Sequence, residues 1–198
     1  MALLKACVRW RANRCPHSLL GLGSAIGVWL FLSGLNLPAQ TTPPEYQLKA
    51  VFLFNFAEFV SWPSEAFIDP QAPLVIGVLG ENPFGTHLDE VVRGERVNNR
   101  QLVVERYRRV EDIKVCHILF ISRSEAGRLD EILPRLKNRS VLTVSDIDRF
   151  AARGGIIRFI NEKNRIRLRI NVEAAKASKL TISSKLLRPA EIATSEKG

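Results

Sequence analysis

Hydrophobic and polar positions first separate between Glu45 and Trp62, in the run E-Y-Q-L-K-A-V-F-L-F-N-F-A-E-F-V-S-W, which Pro63 follows. At 100° per residue, Tyr46, Leu48, Ala50, Phe52, Leu53, Phe56, Ala57, Phe59 and Val60 gather on an arc of about 200°, against roughly 100° for an ordinary surface helix. Gln47, Asn55, Glu58 and Ser61 mark the polar side, and Val51 and Phe54 intrude on it. The pattern predicts a helix over 45–62 that is buried around most of its girth. Burial in its own domain accounts for the wide arc. Val51, Phe54 and Trp62 are left over as candidates for contact with a second polypeptide.

Beyond this helix the pattern alternates between strand and helix. Leu74 to Leu79 is a continuous apolar run, as in a central parallel strand. Asn82 and Pro83 predict the cap and first turn of a helix reaching Val92. Gly94 to Asn99 reads as a turn, and Gln101 to Tyr107 as a strand. Val115 to Ile121 is a second central strand. Ser124 opens a predicted helix to Lys137, with Pro134 late in it. Val141 to Val144 is a further strand, and Asp146 to Ala152 a short helical turn. Ile156–Ile160 and Arg165–Ile170, joined by Asn161-Glu162-Lys163-Asn164, predict an antiparallel hairpin. Asn171 caps a helix from Val172. Leu180 to Leu187 fits either a short helix or a strand, and the polar tail from Ala190 is expected to fray. The sum is an α/β domain of Rossmann-like or flavodoxin-like layering. It has a mainly parallel sheet, helices on both faces and an antiparallel edge hairpin.

The first 39 residues change the charge picture. Lys5, Arg9, Arg11 and Arg14 precede an uncharged apolar run, Leu19 to Leu35, and Leu37-Pro38-Ala39 supplies a processing point. That is the order of a secretory signal peptide, and an uncleaved signal anchor is the alternative. Residues 40–44 form a polar linker, 45–193 one domain, and 194–198 a disordered tail. Removing residues 1–39 takes away four positive charges and lowers the formal charge from +9 to +5. Arg106, Arg108 and Arg109 cluster. Arg165, Arg167 and Arg169 alternate with apolar residues, as on one solvated strand face. Basic residues interleaved with exposed aromatics are missing, so no nucleic-acid partner is expected.

Candidate chemistry is sparse. Cys116 stands alone after the leader, inside a V-C-H-I-L-F-I strand pattern, and reads as a buried inert thiol. His87 and His117 have no Cys, His or carboxylate at ligand spacing, so neither metal nor cofactor is expected. There is no G-x-S-x-G, H-E-x-x-H or Walker loop. The glycines from Gly77 to Gly85 lack dinucleotide-loop spacing and read as turn formers. Nothing in these residues points to an enzyme.

Taken in order, A-V-F-L-F-N-F-A-E-F-V-S-W-P, P-L-V-I-G-V-L-G-E-N-P-F-G, C-H-I-L-F-I-S, V-L-T-V-S-D-I, G-G-I-I-R-F-I and R-L-R-I-N-V-E-A-A-K-A-S-K-L-T-I-S-S-K-L-L-R resemble the YfiR family of bacterial periplasmic proteins, the DUF4154 group. The resemblance spans roughly Glu45 to Ala193. It implies a soluble, non-catalytic periplasmic regulator. Such a regulator inhibits the periplasmic domain of an inner-membrane diguanylate cyclase and is sequestered by an outer-membrane OmpA-like lipoprotein. It thereby controls cyclic di-GMP and biofilm, and it homodimerises. The resemblance further implies a small-ligand pocket near Trp62, Thr181, Ser183 and Lys185. Cys116 matches a cysteine that is disulfide-bonded in the family but has no partner here. A periplasmic small-molecule sensor serving a kinase or transporter is the alternative function.

Overall fold

A computed structural model describes residues 44–163 and 165–193. The expected signal peptide (1–39), all of the expected linker but Pro44, and the expected 194–198 tail lie outside the described residues. The elements in chain order are α1 (Pro44–Phe59), β1 (Val60–Ser61), β2 (Leu74–Leu79), α2 (His87–Val92), β3 (Arg96–Val97), β4 (Arg100–Tyr107), β5 (Ile118–Ile121), α3 (Leu129–Leu136), β6 (Leu142–Ser145), β7 (Ile157–Glu162), β8 (Arg165–Asn171), α4 (Val172–Ala177), β9 (Thr181–Ile182), α5 (Ser184–Leu187) and β10 (Glu191–Ala193).

Eight strands form one sheet in the order β10-β8-β7-β6-β5-β2-β4-β3. Its centre, β4-β2-β5-β6-β7, is parallel throughout, which is the flavodoxin-like order. The predicted hairpin is β7–β8, with Glu162 opposite Arg165. α1 and α2 pack on one face, over Ile76, Val78, Phe120, Val144 and Ile157. α3 packs on the other, over Leu119 and Ile121. β2 is buried at all six positions, as a strand covered on both faces must be.

Several expectations are corrected. The first helix stops at Phe59. Val60 and Ser61 turn into a short antiparallel pairing with β9, so Trp62 follows that strand and is not on the helix. Leu48, expected on the buried arc, is 45% exposed. The helix expected at Pro83 begins at His87. Asn82 spends its side chain locally, its Oδ1 accepting from the Phe84 N–H and its Nδ2 donating to the Gly85 carbonyl. Ser124 caps nothing: its hydroxyl accepts the Glu81 N–H across the loops, and residues 123–128 are 3-10 helix before α3.

The 94–99 turn contains β3, closed on β4 by Asn98 and Asn99 in the left-handed region. Those are the residues a two-residue hairpin turn favours. Residues 180–187 are both things at once, β9 followed by α5. Of the stretch expected to fray, residues 191–193 form β10, parallel to β8, and Arg169 binds Glu191 at 2.6 Å. Gly77 lies inside β2, where a Cβ would come within 2.8 Å of the Cys116 sulfur and 2.7 Å of the Tyr107 ring. Gly80 is a turn former, with φ of 88°.

The Asn171 cap is as expected, its side chain accepting from the Ala174 N–H at 2.9 Å. Phe56 is fully buried and stacks on Phe159, ring centroids 5.9 Å apart. Phe56→Ala removes that ring from the α1–sheet seam. Chemical denaturation is expected to read a loss of about 3–5 kcal/mol.

Candidate functional site

The site of interest is α1 and what fixes it, because this helix both fills the core and faces solvent. Ala50, Leu53, Phe56 and Ala57 turn inward. Val51 is 40% exposed on the opposite side. Phe54 is half-buried and rests against the core at its flank, so its ring is shared between the interior and the surface.

Lys49 is the unforeseen residue. It is 0% exposed, in the middle of the apolar arc. Its Nζ lies 2.5 Å from Asp146 Oδ2 and 2.5 Å from Glu45 Oε1. Tyr46 donates its hydroxyl to the same Asp146 oxygen at 2.7 Å, and Arg123 Nε faces the other at 3.2 Å. Asn161 on β7 donates to Glu45 at 2.7 Å. Asp146 directly follows β6. The cluster therefore pins the first turns of α1 to the carboxyl ends of the central strands. Burial alone would raise the Asp146 carboxyl, but the hydrogen bonds from Lys49 and Tyr46 outweigh it and hold the group below its ordinary range. The signal was available: a lysine placed between Leu53 and Phe56 on the wheel needs an acid in the core.

The far end of α1 is held differently. Beyond β1, the Trp62 indole N–H donates to the His117 carbonyl at 3.2 Å. The His117 ring stacks on Phe67 at 4.3 Å, and the Arg100 guanidinium covers Phe67 at 3.6 Å. Arg100 also donates to the Asp69 and Ala72 carbonyls. The connecting loop is thus braced, and it carries Ile68 at 82% exposure.

His117 is buried. Its Nδ1 accepts the Val75 N–H at 3.0 Å, which leaves Nε2 to donate to the Ala66 carbonyl at 3.2 Å. A ring that accepts at Nδ1 must be neutral. Burial pushes its pKa down to about 4; the Ala66 hydrogen bond opposes this, and the Arg100 charge adds to it. Burial likewise pushes the Cys116 thiol up to about 12, the state of an unreactive sulfur.

The residues implied for a ligand pocket are near one another in part. Thr181 is paired with Ser61, next to Trp62. The Ser183 N–H donates to the Phe59 carbonyl at 2.8 Å, and its hydroxyl accepts from the Lys185 N–H as the cap of α5. Thr181 and Lys185 are exposed. None of the four lines the cavity of about 560 Å³ between α3 and α4, which is walled by Leu133, Pro134, Ala174 and Ala177. Among the described residues, no group of three His, Cys, Asp or Glu side chains gathers as a metal site. No helix there is long and apolar enough to cross a membrane.

The described residues form a flavodoxin-ordered α/β domain with a helix anchored at both ends. Its family is shown by sequence: residues 46–191 match the YfiR/HmsC-like family (DUF4154), and the chain belongs to it. Membership points to a periplasmic regulator of diguanylate cyclase signalling, in a family that is regulatory rather than catalytic. None of the curated proteins matches the chain.

Two expected outcomes test these anchors. Lys49→Met strands Asp146 and should cost about 3–5 kcal/mol, much of it recovered in Lys49→Met/Asp146→Leu; denaturant midpoints of the three proteins decide. For His117 the unfolded ring takes its proton near pH 6.5 and the folded ring near 4. Stability is therefore complete above 6.5 and falls as pH drops from 6.5 to 4, by roughly 3 kcal/mol at most. Melting curves of His117→Gln should lack that slope.

Proposed function

We propose that this chain is a periplasmic, non-catalytic regulator that binds the periplasmic domain of an inner-membrane diguanylate cyclase and holds it inactive. Residues 1–39 act as its export signal. An outer-membrane OmpA-like lipoprotein competes for it and relieves the inhibition, so that cyclic di-GMP and biofilm follow the balance of two complexes. Two mutually exclusive complexes make a switch, because each partner shifts the population only by its own differential affinity. The chain also forms homodimers. Family membership supports this reading. The single observation that carries the interface is the aliphatic pair Leu48 and Val51, turned to solvent on a helix whose inner side is fully buried. Trp62 follows β1, beyond the end of that helix, and Phe54 lies at its flank.

A second reading, a small-molecule sensor serving a kinase or transporter, draws on one feature. The β1–β9 pairing brings Trp62 beside Thr181, with Ser183 and Lys185 following. Titration calorimetry with aromatic amino acids in the absence of any cyclase domain separates the two readings.

Val51→Glu is the cleaner interface variant, because Phe54→Glu also disturbs packing at the flank of the core. Val51→Glu should fold and be exported normally while its complex with the cyclase's periplasmic domain weakens at least about tenfold, near the 1.4 kcal/mol of one modest contact. Surface plasmon resonance with purified domains measures it. Wild-type affinity in both variants would remove α1 from the interface.

A further inference from the structure

α1 turns four side chains outward at i, i+3, i+7 and i+10: Leu48, Val51, Asn55 and Glu58. That is the spacing by which one helix offers a seam to another. Leu48 and Val51 are exposed aliphatics, Asn55 is half-buried and Glu58 is exposed. The seam therefore passes from apolar to acidic along the helix.

Charge along the sequence is one-sided. No Lys or Arg stands between Ala50 and Val92, where the acids are Glu58, Glu65, Asp69, Glu81, Asp89 and Glu90. Residues 93–193 hold 23 Lys and Arg against 12 Asp and Glu. The acidic stretch builds most of α1, the loop after Trp62, β2 and α2. Asp89 is paired with Arg106, and Glu90 accepts the Thr86 hydroxyl and lies against the His87 ring. Among the described residues Glu58 and Glu65 enter no ion pair. An apolar strip beside unneutralised acid is thus set on a chain that is otherwise basic.

We infer that this seam receives a basic amphipathic helix of another protein. Aliphatic residues of that helix lie over Leu48 and Val51, and its Lys or Arg lies at the end facing Glu58. The inference rests on the regulator reading above and specifies the chemistry of the partner's surface. A second copy of α1 is a poor occupant. Parallel two-fold pairing sets Glu58 against Glu58. Antiparallel pairing sets Leu48 against Glu58, which covers a carboxylate with no cation to meet it. A basic helix answers both parts of the strip, and opposite charge speeds encounter in a salt-dependent way.

The test uses the full chain and two synthetic amphipathic helices of roughly 18 residues. Both carry the same leucine seam; one is flanked by Lys and Arg, its twin by Glu. Fluorescence anisotropy should show tighter binding of the basic peptide, weakening as salt rises. Glu58→Lys should lower that affinity about fivefold and raise the twin's. Val51→Ser should weaken both, and circular dichroism should show both variants folded.

Equal affinity for the twins, or unchanged binding of the basic peptide by both variants, overturns the seam. So does sedimentation showing that these substitutions dissolve a dimer of this chain. The same variants are then set against the cyclase's periplasmic domain. Undiminished binding by both overturns the seam and leaves the regulator reading standing. Peptide discrimination by a wild-type chain that does not bind the cyclase domain supports the seam and overturns that reading.

Discussion

The ammonium of Lys49 is buried, and the placement of α1 follows from where it can go. A buried cation without an acid is not tolerated, so the first turns of the helix must meet Asp146 at the end of β6. Once that pair forms, the rotation of α1 about its axis is fixed. Ala50, Leu53, Phe56 and Ala57 face the sheet, and Leu48 and Val51 face water. The charge pair selects among faces of a helix that is apolar on nearly every side. Hydrophobic burial alone could seat such a helix in several rotations.

The same pair changes what the fold can do. In open α/β sheets a ligand commonly enters at the carboxyl ends of the strands, near the point where strand order reverses. Here that reversal lies between β2 and β5. The Ser124 hydroxyl spans it to the Glu81 N–H, and a Cβ on Gly80 would meet that hydroxyl at 2.4 Å. Beside it, Tyr46, Lys49 and Arg123 converge on Asp146. Side chains of the protein itself thus meet at this end of the sheet. At the opposite end of α1, the Trp62 hydrogen bond to His117 and the stack of His117, Phe67 and Arg100 fix the exit of the chain. A helix fastened at both ends loses little entropy on meeting a partner.

Much of this was legible in the sequence. The strand pattern of Leu74–Leu79, the hairpin around Lys163 and the Asn171 cap are local in origin, and local residues announce them. What was missed depends on partners distant in the chain. β1 exists because β9 lies across from it, and β10 because β8 offers an edge. A two- or three-residue strand has no periodicity of its own to read. Ser124 and Asn82 looked like helix caps, and each spends its hydrogen bond elsewhere. Lys49 could have been suspected from its place on the helical wheel, but Asp146, 97 residues away, could not have been chosen from among the acids. The exposed strip was half legible. Val51 stood out as an intruder, whereas Leu48 was assigned to the wrong side because the apolar arc was too wide to show its centre.

That width also bears on how strongly the surface can bind. Two exposed aliphatics and a carboxylate are far less than the core of an obligate interface, which would bury several aromatic anchors. The rings of α1 lie mostly inward: Phe56 stacks on Phe159, Phe52 meets Phe159 edge-on, and Tyr46 meets Phe84. What remains outside is enough for a rigid, modest contact and too little to make the free chain sticky. That proportion suits the proposed switch, in which one component leaves one complex to enter another. The aromatic mass of α1 secures the helix, and in the proposed switch the few groups left on its outer face would set the affinity that a competitor has to match.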